Sequence, residues 1–370
     1  MAGRVLSRQA PPEASGPLTV DVAAGDRALA ALGAEWDALL HRQPLPSPTL
    51  GSRWLWSMAV PEGALVVSVR RGGTLAGGGA FRIRRAGPIR LATWLGGARL
   101  PDVLAAPHVE EAAARVLEAA LEQSHALWLP HTPVGGAAWR ALEAVAPWRR
   151  AALVHPCGWV VDLPPPRLDH ARRKAAYARR RAARRGAEIA VSVWRDPDDV
   201  GPAFERLVDL YRNQWRGREA EGSRRSDVVT RADRYRELLP ALAVAGRVRI
   251  VEVLEDGRVA STKLGLLAGR GALFHTTATA PGGSLRGPGH QAMLAWVEAA
   301  TAAGAEVMYL GRGAGEPEGP KARLGPSRLD FANVLVAASA RRQRRLDALR
   351  GLAAPLGRLR GRAAYERISE

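Results

Sequence analysis

Apolar and polar positions alternate along Ala64–Arg71, stop at Gly72-Gly73 and resume from Thr74 to Arg84, with a third apolar run from Ile89 to Leu95. Period-two alternation marks strands with one covered face, and a Gly-Gly pair between two such runs predicts a tight hairpin. The period then changes. Val109–Gln123 repeats its apolar residues at helical spacing, and Ala126–Leu129 reads as a short buried strand. The same order returns further on: a strand over Arg247–Leu254, a turn at Asp256-Gly257, strands over Arg258–Leu267 and Ala272–Ala278, a Gly/Pro loop, a helix over His290–Ala303 and a strand over Glu306–Leu310. Corresponding elements lie 180 to 184 residues apart, which predicts two copies of one α/β fold with hairpin-led, mixed sheets. Helical sequence precedes each copy, Arg27–Leu40 in the first and Pro202–Gly217 with Arg231–Val244 in the second. Between them, Leu163-Pro164-Pro165-Pro166 forms a stiff spacer, and Asp169 is placed to cap an arginine-rich helix running to about Arg185. The expected division is 17–165, a basic linker helix 166–186, a second domain 187–340 and a tail 341–370.

With 370 residues, 47% apolar and 24% charged, the chain has the composition of a globular protein of two domains. Cys157 is the only cysteine, which excludes an internal disulfide, an iron-sulfur cluster and a multi-cysteine zinc site. His125 and His131 lack a third ligand at credible spacing, so no metal is expected. The first residues have no apolar segment of signal-peptide length and no stretch approaches a membrane span, which together predict a cytoplasmic protein. The net charge of +18 is concentrated: Arg167–Arg185 holds nine basic residues against one acidic, and Arg341–Glu370 nine against three. The body of the protein is near neutral, so it is not itself a basic nucleic-acid-binding surface. The tail mixes arginine with Leu346, Leu349, Leu352, Leu356 and Leu359, which suits either contact with an anionic membrane face or a helix docked on the second domain.

The segment from Arg286 through Gly287, Gly289 and His290 to Gln291 carries the most chemistry. Glycines allow close backbone approach, and the free N–H groups of the following helix can hold a pyrophosphate. A dinucleotide-binding fingerprint is excluded, because that turn follows its strand directly and here some eight residues intervene after Ala278. Just before the loop, His275 can take a proton from an ammonium acceptor or serve as a hydrogen-bonded sheet histidine. Lysine is scarce: Lys174, Lys263 and Lys321 are the three among 54 basic residues. A lysine near a site then suggests a compact ammonium that arginine does not imitate. Glu35, Asp102 and Glu252 are further candidate bases. Among eleven tryptophans, Trp36, Trp54 and Trp56 can stack on sugar rings or pack a core, and Trp215 can border an acyl pocket. Neither GxSxG nor GxxxxGK[ST] occurs, which removes the standard serine-hydrolase and P-loop chemistries.

The order strand, hairpin, strand, glycine-rich turn, helix, strand resembles the GNAT acyltransferase core. Further stretches are similar to the CelD/BcsL-type acetyltransferases, tandem GNAT proteins associated with cellulose and exopolysaccharide synthesis. They are Glu35-Trp36-Asp37-Ala38-Leu39, Ser47-Pro48 with Ser52 and Trp54, Gly97, Pro101-Asp102, the basic helix after Pro166, Leu210-Tyr211 with Trp215, Pro288-Gly289, and Leu310-Gly311-Arg312-Gly313 followed by Lys321. Val103 and Pro320 stand where that family commonly has aromatics. The resemblance implies two tandem GNAT-like domains and transfer of an acyl group, acetyl as the simplest case, from acetyl-CoA or another acyl-CoA to an amine or hydroxyl of a saccharide precursor or related metabolite. Catalytic His275 and Lys321 would then act with cofactor-binding Arg286, Gly287, Gly289, His290 and Gln291, and with Glu35, Trp54, Asp102, Trp215, Lys263 and Arg312 toward the substrate. Two alternatives stay open. A FemABX-like enzyme would use aminoacyl-tRNA, docked by the arginine-rich helix; a non-catalytic protein of this fold would bind polyanions or membranes through its basic segments.

Overall fold

The computed structural model describes residues 16–59, 62–86, 89–97, 99–145, 150–215, 227–280, 287–312 and 319–337. Among these residues thirteen strands form one continuous mixed sheet. β1 (Leu18–Ala24) lies on one edge against β2 (Ala64–Arg71), which turns through Gly72 and Gly73, both at positive φ, into β3 (Thr74–Ala86). β4 (Ile89–Trp94) follows antiparallel; the two-residue β5 (Leu104–Ala105) is a side pairing on β3, and β6 (Ala126–Pro133) returns parallel to β4. The second half repeats the plan inward from the opposite edge strand, β8 (Ile189–Trp194). There β9 (Val248–Glu255) turns through Asp256 and Gly257 into β10 (Arg258–Ala268), then come β11 (Gly271–Thr279) and a parallel β12 (Val307–Arg312).

An exchange of strands joins the halves. β7 (Arg150–Asp162), the last strand of the first half, pairs with β12 of the second, while β13 (Ser327–Ala337), the last strand of the second half, pairs with β6 of the first. The two exchanged strands lie antiparallel side by side. The order across the sheet is therefore β1-β2-β3-β4-β6-β13-β7-β12-β11-β10-β9-β8. Each half supplies the strand that satisfies the inner edge of the other, so neither presents an unpaired edge at the seam.

Helices cover both faces. In the first half α1 (Asp26–Ala30), α2 (Ala34–His41) and α3 (Ser52–Met58) lie on one side and α4 (Glu110–Glu122) and α5 (Ala137–Val145) on the other. In the second half α6 (Leu168–Ala183) shares a face with α10 (Pro288–Ala302), opposite α7 (Pro197–Trp215), α8 (Asp227–Thr230) and α9 (Ala232–Val244); α11 (Gly319–Ala322) is a short turn before β13. Strand alternation sorts the two cores: Val248 and Ile250 of β9 meet α7 and α9, whereas Val251 and Val253 meet α10. Gly265 of β10 lies beneath Trp296 of α10, where a Cβ would come within 2.2 Å of the indole. Trp54 and Met58, from α3 of the first half, are buried in the core of the second. An ion pair, Arg247 to Asp37 at 2.8 Å, ties the halves at the same place.

Three sequence expectations are corrected here. The helix expected over Arg27–Leu40 is two short helices, broken at Gly33, whose extended backbone forms the N-terminal cap of α2. Asp169 lies inside the first turn of α6 and pairs with Arg172, while Arg167 holds the cap position. β7 and β13 were not anticipated at all. Arg286, Gly313 and the tail from Arg341 lie outside the described residues.

Candidate active site

β11 and β12 pair at Gly271, Ala272 and Leu273, opposite Val307, Met308 and Tyr309, and then part, although β11 runs on to Thr279 and β12 to Arg312. At the point of parting the register between β10 and β11 shifts: Gly265 faces Phe274 and Leu264 faces Thr276, leaving His275 as the extra residue. Such a bulge bends the strand and re-aims its side chains. Phe274, Thr277 and Thr279 turn toward α10, and His275 turns toward α9.

On that side the His275 imidazole is buried; its Nε2 lies 2.7 Å from Tyr235 Oη, and Trp54 meets the ring edge-on at 5.2 Å. Burial, reinforced by the positive charge of Arg99, holds His275 well below the usual histidine range, so the ring is neutral. Its Nδ1 is buried and has no hydrogen-bond partner among the described residues. An unsatisfied ring nitrogen in a core is costly unless it has another role.

The opposite side is cationic. Lys263 of β10 is buried, with Nζ 3.2 Å from Thr277 Oγ1 and 4.5 Å from the centre of the Phe274 ring. Lys321 Nζ lies 5.9 Å from the same ring, close to Gly311 of β12. Burial, and then the charge of Lys321, pushes Lys263 down to about 7; burial also lowers Lys321. His290, in the first turn of α10, is pushed down to about 4 by burial and by the charges of Arg323 and Lys263. The helix begins at Gly287, left-handed at φ +80, followed by Pro288, and its first turn leaves backbone N–H groups without intrahelical acceptors. A cavity of about 330 Å³ separates this turn from α6, lined by Lys174, Tyr177, Arg181, Gly287, His290 and Arg323. Gln291 also lines that space, and its Nε2 donates to Ala175 O at 2.7 Å, which holds α6 against α10.

Of the residues singled out in the sequence, the structure brings together His275 and Trp54 on one side of the parted strands, and Lys263, Lys321, Gly287, Gly289 and His290 on the other. Glu35 is not among them: it is exposed and paired with Arg70 at 2.6 Å. Asp37, two residues on, is the carboxylate at the junction, accepting from Ser52 N, Ser52 Oγ and Arg247. Asp102 is taken up as a helix cap, accepting from the backbone N–H groups of Ala137, Ala138 and Val103, in a separate cleft of the first half. Glu252 is buried under Arg206 and Trp194. Trp215 ends α7 and Arg312 ends β12; their side chains lie outside the described residues. Tyr235, Arg99, Arg323 and the inner face of α6 complete the site. Nothing local in the sequence marks the first three.

Where the first half has its equivalent strands, β4 and β6 pair at Leu91 and Ala92 and then part, but Trp94 stacks on Phe81 at 5.5 Å and α4 opens with Glu110 and Glu111. An acidic first turn repels phosphate.

Residues 169–318 match the family described as acetyltransferase (GNAT) domain. This part of the chain is a GNAT acyltransferase domain. Among solved structures the fold is similar to that of FemX, with TM-score 0.58, 13% identity and coverage of 80% of this chain and 94% of that one. It is also similar to a C-terminal domain assigned to a lysylphosphatidylglycerol synthetase of Agrobacterium fabrum (TM-score 0.55, 12% identity, 86% and 95% covered). A conserved protein of unknown function from Bacteroides thetaiotaomicron follows (TM-score 0.52, 13% identity, 83% and 97% covered). At such identities the likeness is one of fold. No curated protein sequence matches the chain. The mixed α/β architecture with a repeated GNAT plan agrees with the fold expected from the sequence. No described helix is long and apolar enough to cross a membrane.

Proposed function

We propose that the second half binds an acyl donor between β11 and β12 and transfers the acyl group to an amine or hydroxyl that approaches from the Trp54 and His275 side. The observation that carries this reading is the parted strand pair, with a neutral, half-satisfied imidazole on one face and cations beside a helix N-terminus on the other. Donor phosphates suit the α10 turn, where Gly287 and Gly289 present backbone, the His290 N–H being donated to Gly287 O at 2.9 Å, and Lys263, Lys321 and Arg323 present charge. The exposed backbone edges of the parted strands are placed to hold the donor's extended arm.

Transfer needs a neutral nucleophile. The attacking nitrogen or oxygen forms its bond to the acyl carbon, the donor's leaving sulfur or oxygen departs with the bonding electrons, and the acceptor's proton must go to a base. With Nε2–H donated to Tyr235 Oη, His275 Nδ1 carries the free lone pair for that proton. Lys321 supplies positive charge near the departing group. A coenzyme A thioester is the donor we favour, with a saccharide precursor or related metabolite as acceptor, on the sequence resemblance to CelD/BcsL-type enzymes. A second donor, aminoacyl-tRNA, is favoured by the basic surface of α6 beside the same turn. A thermal-shift series with coenzyme A and acyl-CoA thioesters tests the reading: stabilisation that rises with ligand concentration supports it, one site per chain is expected by calorimetry, and loss in Gly289→Asp locates that site at α10. No response to any thioester refutes the coenzyme A donor.

A further inference from the structure

The loop that follows β4 crosses from the first half toward the second and is fixed on both sides of Arg99. Gly96 and Gly97 both stand at positive φ, the Gly96 carbonyl accepts from Trp54 Nε1 at 3.4 Å, and the Arg99 N–H donates to Thr49 Oγ1 at 3.0 Å. Thr49 is itself fully buried and bonded to Ser47 Oγ at 2.9 Å. The next residue, Leu100, is buried in the core of the second half together with Trp54 and Met58. The Arg99 backbone is thereby held, while its half-buried guanidinium has no hydrogen bond or ion pair among the described residues. Neighbouring arginines are engaged. Arg247 pairs with Asp37 at 2.8 Å, and Arg234 donates to the carbonyls of Met58 and Ala59 at 3.0 and 3.2 Å. Arg231, at the head of α9, approaches the same loop: a Cβ on Gly97 would lie 3.6 Å from its guanidinium. Asp37, the carboxylate at this junction, is already taken up by Ser52 and Arg247.

Arg99 is also the charge that bears on His275, whose ionised form it disfavours. For proton transfer that sign is unfavourable. A base that takes a proton becomes an imidazolium, and a cation close to it opposes the step by like-charge repulsion. The same cation repels an ammonium acceptor. An anion carried in by the substrate reverses both effects, because it meets a guanidinium with no other partner and offsets its charge at the imidazole.

We propose that the acceptor carries a carboxylate or phosphate near its nucleophilic nitrogen or oxygen, and that the Arg99 guanidinium donates to that anion. This rests on the acceptor face proposed above and narrows its occupant to amino or hydroxy acids, sugar acids and sugar phosphates, against neutral sugars and simple amines. A planar guanidinium meets either anion with two parallel N–H bonds, so the recognition chemistry is shared and the two sources are separable by experiment. Recognition and chemistry are also coupled. With the anion in place His275 regains proton affinity, whereas with a neutral acceptor it faces the unscreened charge of Arg99.

The full chain, isotopically labelled at histidine, is titrated with inorganic phosphate, acetate, glucosamine 6-phosphate and glucosamine, and the ring signals of its eight histidines are followed by NMR. The signal lost in His275→Gln is that of His275; phosphate taken up at the α10 turn registers on His290 and is told apart in this way. Arg99→Gln is compared with Arg90→Gln, which removes an exposed charge at the start of β4. The His275 signal is expected to move with the anions and not with glucosamine, and the affinities read from it to fall about 10- to 100-fold in Arg99→Gln while Arg90→Gln matches wild type. The tighter of phosphate and acetate identifies the anion. If the His275 signal ignores the anions, answers them equally in Arg99→Gln, or answers glucosamine as it does its 6-phosphate, Arg99 is an ordinary solvated arginine and the proposal falls, whether or not acyl-CoA thioesters bind. If anions bind through Arg99 while no thioester stabilises the chain, the acceptor site stands and the coenzyme A donor falls.

Discussion

Replacing Lys263 by Met removes a cation that the fold holds at its own expense. In the unfolded chain this amine titrates near 10.5; in the structure burial and Lys321 bring it to about 7. At about 1.4 kcal/mol for each tenfold change in a proton equilibrium, the drop from 10.5 to about 7 corresponds to about 5 kcal/mol. Between pH 7 and 10.5 the unfolded chain binds a proton that the folded chain does not, so stability rises with pH across that window and the full cost is present below about 7. Methionine fills a similar volume without charge. Thr277 Oγ1 keeps its own acceptor, Thr262 O at 3.1 Å, so the substitution orphans no polar atom. Lys263→Met is therefore expected to be more stable than wild type at pH 6, by up to about 5 kcal/mol, with the gain shrinking steadily toward pH 9. Urea unfolding of both proteins across pH 6 to 9 measures this, since groups that do not sense Lys263 cancel in the difference and His290, which its charge lowers, titrates at about 4, below the range. The same variant should bind donor phosphates more weakly, the exchange of stability for function common at active sites. A variant no more stable at pH 6, or a difference independent of pH, refutes the burial argument whatever happens to binding.

Other expectations follow from the same geometry. In wild type, donor affinity should fall as pH rises through about 7, where Lys263 loses its proton, and this dependence should vanish in Lys263→Met. His275→Ala should lower turnover by roughly 10²- to 10⁴-fold, with Tyr235→Phe intermediate, while donor affinity stays within a few-fold; a matching loss of donor affinity would remove His275 from proton transfer. Because His275 is neutral through the working range, acid loss of activity near pH 6.5 should not trace to it. Asp102→Ala should cost about 1 kcal/mol through loss of the α5 cap without altering donor binding, and any specific effect on acceptor KM would restore Asp102 to the site. Asp37→Ala, which releases Ser52 and Arg247 together, should cost about 2 to 3 kcal/mol in urea unfolding.

Much of the architecture was legible because its signals are local. Gly72-Gly73 and Asp256-Gly257 dictate their hairpins within two residues, and the α10 turn announces itself through Gly287, Pro288 and Gly289. The scarcity of lysine marked Lys263 and Lys321 before their position was visible. What escaped depends on partners far away in the chain. β7 and β13 carry ordinary strand sequence, and only their pairing across 167 to 186 residues makes them the seam. The His275 bulge is a register shift against β10, invisible in the segment Phe274-His275-Thr276 taken alone. Tyr235 reads as one more apolar helix position beside Leu238, Leu239 and Leu242. Glu35 and Asp37 are chemically alike, and on a helix two residues apart they point to nearly opposite sides, so only packing distinguishes the exposed one from the one that reaches Arg247.

The strand exchange also bears on how the first half, with no donor turn of its own, reaches the proposed site. Trp54 reaches His275 and Tyr235 from α3, and α3 is placed by Asp37, which receives Ser52 N and Ser52 Oγ at the start of that helix and Arg247 from the head of β9. Arg234 of α9 returns the contact by donating to the carbonyls of Met58 and Ala59 at the end of α3. The end of α3 is thus held directly by the second half and its start through Asp37, which Arg247 ties to β9, and the indole between them is the proposed acceptor-side wall. β7 and β13 bear on the same arrangement from the sheet: sliding the halves apart would break the pairing of β12 with β7 and of β6 with β13 together. On the proposed reading the two faces of the reaction are fixed by different parts of the chain, the donor face by β10, α6 and α10 within the second half, the acceptor face by α3 carried in from the first.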